Sequence, residues 1–404
     1  MFRYILAASV CLMVIPKDVS SAVFYDPYKN GNRDINDDIQ FYLYTKKNRD
    51  SPYFLLPENN ENYANSPFDP SFPTIIFSHG FTGSALSHSA QSIKNAYLDN
   101  GEFNVILICW KSLAAKPWYL KAVRSVPVVG KYSAKLIKWL EYKEAISLSA
   151  LHVIGFSLGS HVGAFIGEEL ARNRSEKIGR ITGLDPAGPA FDKLSISSNG
   201  LDKDDAAFVD IIHTNSRTFG MRLAVGHADF YMNYGKSQPG CSFFSLSCSH
   251  FRAWEYYSES AFHPCGFPSE RCNTWKPQIS DCSRSQIYMG VATNRKTEGI
   301  YNVNTNSAYP FAKSSINLPN SIEVASPKGM TTLSLIDAAE SGVYDLSSYC
   351  ISGNLSRIDG NNSWINSINE ITTEDNNELR QDDNFAHQVG GVPTGDDIHI
   401  MMMK

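Results

Sequence analysis

The pentapeptide GFSLG at residues 155–159 limits the possible fold of this 404-residue chain more than any other segment. An apolar run at 151–154 precedes it, and a helix-like segment at 160–167 follows it. This order predicts a strand, a sharp turn that carries Ser157, and a helix. Because the backbones of strand and helix would approach closely there, a side chain at either flanking glycine would clash. The pattern therefore predicts a nucleophile elbow, which raises a serine hydroxyl to the top of a sheet.

Strand-like and helix-like patterns alternate over much of the chain. Helical spacing of apolar residues occurs at 119–144, interrupted near Pro127, and at 160–172. Apolar runs predict five buried strands, at residues 74–77, 104–110, 151–154, 178–184 and 208–212. Such alternation favours the α/β class, with a mostly parallel central sheet that helices cover on both faces. Ligands then bind at the carboxyl ends of the strands.

A serine hydroxyl becomes a good nucleophile only when an imidazole takes its proton and a carboxylate orients that imidazole. After a nucleophile elbow these partners follow in the order acid, then histidine. We predict Asp185 as the acid, because it ends the apolar run 181–184 and the sequence PAGP follows it. We predict His250 as the base, because it lies in a cysteine-flanked loop before an amphipathic stretch.

Two other pairs of histidine and aspartate compete with His250 for a catalytic role. Asp210 and His213 lie within one strand-like segment, and His227 and Asp229 lie in a loop. A histidine or aspartate taken singly is more often a hydrogen-bonded structural residue than a catalyst. We therefore predict core hydrogen bonding and loop support for these four residues.

Acyl transfer also requires N–H donors that point at the developing oxyanion. One donor is usually the amide after the nucleophile, which here belongs to Leu158. The second usually comes from a loop after an early strand, and the segment HGFTG at 79–83 follows the strand-like run 74–77. We predict the amide of Phe81 as this second donor.

The first 22 residues resemble a secretory signal peptide, with a basic start at Arg3 and an uncharged apolar stretch at 4–15. No other segment has the roughly 20 apolar residues that a membrane-spanning helix needs. We therefore expect a secreted, soluble protein.

The net charge of -5 and the lack of a basic stripe argue against a nucleic-acid partner. Paired CxxC units and HExxH are missing, so we expect no zinc site.

Beyond about residue 311 the composition changes to Ser, Asn and Asp. We therefore divide the chain into a signal peptide at 1–22, a catalytic domain at 23–312 and a polar tail at 313–404. The tail lacks a regular strand pattern and is predicted to be disordered or loosely folded. Weak apolar stretches such as 333–336 leave a small folded module as the alternative.

With these segments in place, the chain resembles the pancreatic lipase family, in its insect-type branch of secreted lipases and phospholipases A1. The resemblance covers roughly residues 23–311. It implies an α/β-hydrolase fold with Ser157 as nucleophile, Asp185 as orienting acid and His250 as base. It also implies the amides of Phe81 and Leu158 as the oxyanion hole. The motifs that carry it lie at residues 79–81, 155–163, 184–189, 208–214, 226–231, 239–241 and 248–250.

The chain departs from the family pattern at several cysteines. Cys109 stands where the family usually has an aspartate, and Cys265 has no obvious family partner. The resemblance pairs Cys272 with Cys282, which leaves Cys109, Cys265 and Cys350 unassigned. The carboxyl-terminal β-sandwich of the vertebrate lipases is not recognisable, so no colipase-type partner is implied.

The family normally closes its site with a disulfide-bounded lid. Here Cys241 and Cys248 enclose six residues, too few to lay a helix across a cleft, and the wall at 214–225 is also short. This pattern resembles the phospholipase A1 branch, and Phe243 and Phe244 could enter a lipid interface. The alternative is a trimmed surface loop without effect on specificity.

The predicted function is a secreted serine carboxylic-ester hydrolase that cleaves fatty acyl esters at a membrane or droplet surface through an acyl-serine. Phospholipase A1 activity is preferred, with triacylglycerol lipase as the alternative, and the chemistry needs no cofactor. A non-enzymatic lipid-binding or yolk-type protein is less favoured, because all three triad positions and both oxyanion segments are present. The oligomeric state stays open.

Overall fold

The computed structural model describes most of the chain between residues 34 and 357. The described ranges are 34–192, 200–216, 218–242, 244–245, 247–274, 282–314, 321–326, 329–340, 344–352 and 356–357. All of them belong to one of the two units into which the chain divides, Met1–Asp359. The predicted signal peptide and everything from residue 358 onward lie outside the described residues.

An eleven-stranded sheet forms the centre of the described structure. Its spatial order is β10-β9-β11-β8-β7-β6-β5-β3-β4-β1-β2, where the strands in chain order are β1 (Gln40–Tyr44), β2 (Tyr53–Leu55), β3 (Thr74–Ser78), β4 (Asn104–Cys109), β5 (His152–Phe156), β6 (Arg180–Leu184), β7 (Val209–His213), β8 (Ala228–Met232), β9 (Pro268–Cys272), β10 (Cys282–Tyr288) and β11 (Gly299–Val303). The strands from β11 to β4 in this order pair in parallel, and the outer strands pair antiparallel.

Helices cover both faces of this sheet. They are α1 (Ile35–Asp38), α2 (Asn60–Ala64), α3 (His88–Asn100), α4 (Tyr119–Tyr142), α5 (Leu158–Ala171), α6 (Cys248–Phe262), α7 (Leu335–Glu340) and α8 (Leu346–Ser352), with short 3-10 turns at 46–48, 148–150, 203–205 and 233–235. The helix α4 continues through Pro127, where the sequence pattern was interrupted. No helix among the described residues is long and apolar enough to cross a membrane.

The two faces of the sheet belong to two separate apolar clusters. On one face, α4 and α5 pack against side chains such as Ile76 and Val153. On the other face, α3 and α6 pack against their strand neighbours, such as Ile75 and Ile154. Since successive strand residues point to opposite faces, burial on both faces explains why these strands are apolar without alternation. The predicted α/β-hydrolase fold is confirmed.

The sequence predicts a disordered or loosely folded tail from residue 313, but the structure places regular elements within it. These include α7, α8 and the antiparallel pairs β12 (Ser321–Ser326) with β13 (Gly329–Ser334) and β14 (Tyr344–Asp345) with β15 (Ser356–Arg357). The buried side chains of Leu335, Ile336 and Ala338 anchor α7. A polar segment can fold in this way because its stabilising partners lie elsewhere in the chain.

Three disulfides connect all the described cysteines except Cys109. Two of them, Cys241–Cys248 and Cys272–Cys282, are the pairs that the family resemblance implies. The third joins two cysteines that the sequence leaves unassigned, Cys265 and Cys350, and it ties α8 to the chain after α6. Cys109 remains a buried free thiol in β4.

Glu340, the last residue of α7, lies in a buried polar group at the amino ends of β5 and β6. Its carboxylate lies 3.0 Å from Nδ1 of His152 and accepts a 2.8 Å hydrogen bond from the hydroxyl of Tyr97. The guanidinium groups of Arg180 and Arg295 lie 3.9 and 3.5 Å from it. Burial alone would raise the pKa of Glu340, but His152, Arg180 and Arg295 hold it well below its usual range.

Replacement of Glu340 with alanine is expected to lower the free energy of unfolding at pH 7 by about 3–5 kcal/mol, because buried positive charge loses its partner. The lowered folded-state pKa sets the pH dependence of this loss. The contribution of Glu340 is present above its unfolded pKa of about 4.3 and is lost as the pH falls through the folded pKa. The deficit of the variant should therefore be smaller at pH 3.5 than at pH 7.

Urea unfolding followed by tryptophan fluorescence measures this effect. Glu298→Gln is the matched control, because Glu298 is exposed and its replacement should stay within about 0.5 kcal/mol of the unmodified protein. If both variants unfold at the same urea concentration, the buried contacts of Glu340 do not contribute to the stability of the domain.

Candidate active site

Ser157 lies at the turn between β5 and α5, as the sequence predicts. Its backbone has φ 57° and ψ -119°, a conformation that is strained for a residue with a side chain. Two backbone hydrogen bonds hold the turn: the amide of Ser157 donates to the carbonyl of Leu184, and its carbonyl accepts from the amide of Ala187. The serine is therefore fixed to the segment that follows β6.

The flanking glycines are required by close packing. A Cβ atom at Gly155 would lie 2.3 Å from the carbonyl oxygen of Gly159, and one at Gly159 would lie 2.0 Å from that of Ser78. Either contact is far below van der Waals distance, so the crossing of β5, α5 and β3 allows no side chain at these positions.

Asp185 directly follows β6, the sheet neighbour of β5, and is fully buried. Its Oδ1 accepts hydrogen bonds from the amides of Thr214 (2.8 Å) and Asn215 (3.0 Å). Its Oδ2 lies 2.5 Å from Nδ1 of His250. A carboxylate in this position favours the tautomer with hydrogen on Nδ1, which leaves Nε2 as a proton acceptor.

His250 does not lie in a loop, as the sequence predicts, but is the third residue of α6, and the Cys241–Cys248 disulfide fixes the first turn of that helix. Its ring centroid lies 4.7 Å from that of Phe156, the residue before Ser157, and 5.6 Å from that of Phe219. The imidazole is therefore packed against the elbow. The structure brings Ser157, Asp185 and His250 to one edge of the sheet, at the carboxyl ends of β5 and β6.

The segment after β3 lies directly against the serine. A Cβ atom at Gly80 would be 2.7 Å from Cβ and 3.3 Å from Oγ of Ser157. The next amide, that of Phe81, has no protein acceptor among the described residues, whereas the amide of Thr82 donates to the carbonyl of Ala114. Leu158 is the first residue of α5, and such an amide has no acceptor within its own helix. Both predicted donors are therefore available beside the hydroxyl.

His79 has a structural role that the sequence pattern does not reveal. Its Nε2 accepts a 3.0 Å hydrogen bond from the amide of Trp110, so its Nδ1 donates to the carbonyl of Gly80 at 2.8 Å. The two rings also stack, with centroids 5.2 Å apart. Burial lowers the pKa of His79 to about 4, so the ring stays neutral and holds the glycine loop in place. The only sequence signal was a histidine and a tryptophan that each follow a buried strand.

The competing residues lie away from the serine or form other pairs. Asp210 makes two hydrogen bonds to Arg180, of 3.0 and 2.6 Å, near the amino ends of the strands. The Nδ1 of His227 accepts from the amide of Val209 at 3.0 Å. These contacts are the core hydrogen bonding and loop support that the sequence predicts. His213 and Asp229 pair with each other.

The loop closed by Cys241 and Cys248 is short and carries an exposed aromatic ring. Phe244 is 93% exposed, while Phe243 lies outside the described residues. Within the described part of the chain, no cluster of three or more His, Cys, Asp or Glu side chains could hold a metal ion.

The sheet and the elbow define an α/β-hydrolase. More narrowly, the chain belongs to the Lipase family, whose model matches residues 17–311, and this confirms the resemblance found in the sequence. A phospholipase A1 of Vespula squamosa is 33% identical over 290 residues, which cover 68% of this chain and 95% of that protein.

Two further relatives come from a second wasp and from a vertebrate. A phospholipase A1 of Polybia paulista is 36% identical over 260 residues, which cover 61% of this chain and 80% of that protein. The pancreatic lipase-related protein 2 of Homo sapiens is 35% identical over 269 residues, with coverage of 61% and 56%.

Proposed function

We propose that this protein is a serine lipid esterase of the phospholipase A1 type, with Ser157 as nucleophile, His250 as base and Asp185 as orienting acid. The observation that carries the proposal is the carboxylate of Asp185, which holds Nδ1 of His250 beside a strained serine elbow. That constellation activates a hydroxyl for attack on an ester carbonyl.

The reaction proceeds in two halves. Oγ of Ser157 attacks the acyl carbonyl while Nε2 of His250 takes its proton, and the amides of Phe81 and Leu158 bind the oxyanion. The imidazolium then donates its proton to the departing alcohol, which leaves an acyl-serine. Water that is deprotonated by His250 attacks this ester. Collapse of the second tetrahedral intermediate releases the fatty acid, and the imidazolium returns its proton to Oγ of Ser157.

A phospholipid substrate is favoured over a triglyceride by the short loop between Cys241 and Cys248, which leaves room for a polar headgroup. The two wasp relatives that bear the name phospholipase A1 support the same choice. Exposed rings at the edge of the site suit contact with a lipid surface: Phe244, and Phe251 and Phe219 beside His250. The proposed substrate is therefore a phospholipid in a membrane or droplet surface.

We further propose that the protein is secreted. A signal peptide at residues 1–22 would direct the chain to an oxidising compartment. Disulfides such as Cys265–Cys350 are typical of such compartments.

Fatty acid release from defined lipids tests the proposed function. The substrates are vesicles of phosphatidylcholine with different acyl chains at sn-1 and sn-2, and an emulsion of triolein. We expect release of the sn-1 chain at least tenfold faster than release of the sn-2 chain or of oleate from triolein. Protein with Ser157→Ala, prepared in parallel, controls for contaminating enzymes.

Faster hydrolysis of triolein would instead indicate that the protein is a triacylglycerol lipase. The name of the human relative, pancreatic lipase-related protein 2, is consistent with that alternative. Failure to release fatty acid from either substrate would contradict the enzyme proposal and favour a lipid-binding protein.

A further inference from the structure

A second pair of histidine and aspartate lies next to the chain segment that binds Asp185. His213 is the last residue of β7, Asp229 is the second residue of β8, and both are buried. Nε2 of His213 lies 2.8 Å from Oδ1 of Asp229. The two residues that follow His213 in the chain, Thr214 and Asn215, are those whose amides bind Asp185.

The chain after β7 wraps closely around the carboxylate of Asp185. We call the four residues Thr214, Asn215, Gly220 and Met221 the acid cradle. The amide of Gly220 donates to the carbonyl of Asn215 (2.9 Å), and the amide of Met221 donates to that of Pro186 (2.7 Å). A Cβ atom at Gly220 would lie only 2.2 Å from Oδ1 of Asp185, so the cradle has little space to shift.

His213 joins the two ends of this cradle. It is covalently next to Thr214, and its Nδ1 lies 3.2 Å from the carbonyl oxygen of Met221. Its ring also stacks on that of Tyr231, with centroids 4.1 Å apart and planes 6° apart. The imidazole is therefore fixed in its plane as well as at both nitrogens.

Asp229 in turn fixes His213 and the next piece of chain. Its carboxylate accepts from the amides of Val225 (3.2 Å) and Gly226 (3.0 Å) in addition to its contact with His213. One buried carboxylate thus holds the imidazole and the end of the segment that contains the cradle. Loss of its charge would weaken all three contacts, because hydrogen bonds to an ionised acceptor are the stronger ones.

We propose that His213 and Asp229 are positioning residues, which hold the acid cradle where its amides fix Asp185 against His250. The expected effect of these two residues on catalysis rests on the proposed function. Neither side chain touches the reacting atoms. They act through Thr214 and Asn215, and a displacement of about 1 Å in such a constellation can cost roughly 10²-fold in rate.

Asp229→Asn tests the proposal, because it removes the charge with little change in volume. We expect kcat for phosphatidylcholine to fall about 10- to 100-fold while KM stays within about twofold, since lipid binding does not involve this pair. His213→Gln is the second variant. The glutamine side chain is long enough to reach Asp229 but loses the contact with Met221. This variant should show the same fall in kcat with little change in KM. Near-ultraviolet circular dichroism verifies that each variant is folded.

His227→Gln is the matched control. His227 lies two residues before Asp229, and its Nδ1 accepts from Val209, outside the acid cradle. It should retain the kcat of the unmodified protein.

A second readout does not depend on turnover. We expect the proton between Nδ1 of His250 and Asp185 to give a downfield NMR resonance, which would be assigned by its loss in His250→Ala. We expect this resonance to shift upfield or broaden in Asp229→Asn and in His213→Gln, and to stay unchanged in His227→Gln. An unchanged resonance in both Asp229→Asn and His213→Gln would overturn the proposal, even if the activity of these variants falls through general destabilisation.

The two proposals fail in different ways. If the unmodified protein releases no fatty acid, the proposed function is wrong, but the NMR comparison still tests whether His213 and Asp229 position Asp185. If the unmodified protein is active and Asp229→Asn has full kcat, the positioning role is wrong and the proposed function stands.

Discussion

Replacement of Ser157 with alanine is expected to lower kcat for phosphatidylcholine by about 10⁶-fold, the loss that follows removal of a serine nucleophile from a relay of this kind. His250 and Asp185 cannot compensate, because without the hydroxyl no acyl-enzyme forms. Binding to phosphatidylcholine vesicles should stay within about twofold of the unmodified protein, since the serine contributes no exposed apolar surface. Fatty acid release and vesicle co-sedimentation, measured on one preparation, separate the two effects.

Ser133→Ala is the matched control for this variant. Ser133 is also buried, and its hydroxyl donates to the carbonyl of Val129 within α4, away from the site. The control should keep the full rate. If Ser157→Ala retained more than about 1% of the rate while Ser133→Ala behaved normally, Ser157 would not be the nucleophile.

Asp185→Asn is expected to lower kcat by about 10⁴-fold. The hydrogen bonds around Asp185 explain this expected loss in kcat. The amides of Thr214 and Asn215 both donate to Oδ1, so the oxygen of an asparagine amide would turn toward them. Its NH₂ group would then face Nδ1 of His250 and favour the tautomer with hydrogen on Nε2. In that tautomer the ring cannot accept the proton of Ser157, and steady-state kinetics at neutral pH should show the loss in kcat.

Asp205→Asn provides a control with another buried aspartate. Burial raises the pKa of Asp205 to about 8, so this side chain is mostly protonated at pH 7 and asparagine replaces one neutral group with another. The kcat of this variant should stay within about twofold of the unmodified value. A rate for Asp185→Asn within tenfold of that control would contradict the role of Asp185 as orienting acid.

The fold and the candidate site could be predicted from local sequence patterns. Strands such as β5 and β6 are short apolar runs that are buried on both faces, and such runs carry a strong signal. The elbow at Ser157 could be predicted because only glycine fits at its two flanking positions. A Cβ atom at either position would lie 2.0–2.3 Å from a backbone carbonyl oxygen. The positions of Asp185 and His250 follow from the fixed chain order of the fold.

Contacts between distant segments could not be predicted in this way. Glu340 is a single acidic residue in a polar stretch, and its burial depends on His152, which lies 188 residues earlier in the chain. The Cys265–Cys350 disulfide spans 85 residues, and sequence spacing does not select it among the unassigned cysteines. The role of His79 likewise depends on Trp110, whose amide reaches it only when β3 and β4 lie side by side.

In the proposed mechanism His250, oriented by Asp185, activates Ser157. Reaction with a fluorophosphonate measures this activation, because the reagent forms a stable adduct only with an activated serine. Mass spectrometry of the digested protein should show one adduct, on Ser157, and His250→Ala should react at least 10³-fold more slowly. An adduct on another serine would mean that Ser157 is not the nucleophile, and labelling of Ser157 at an unchanged rate in His250→Ala would mean that His250 does not activate it.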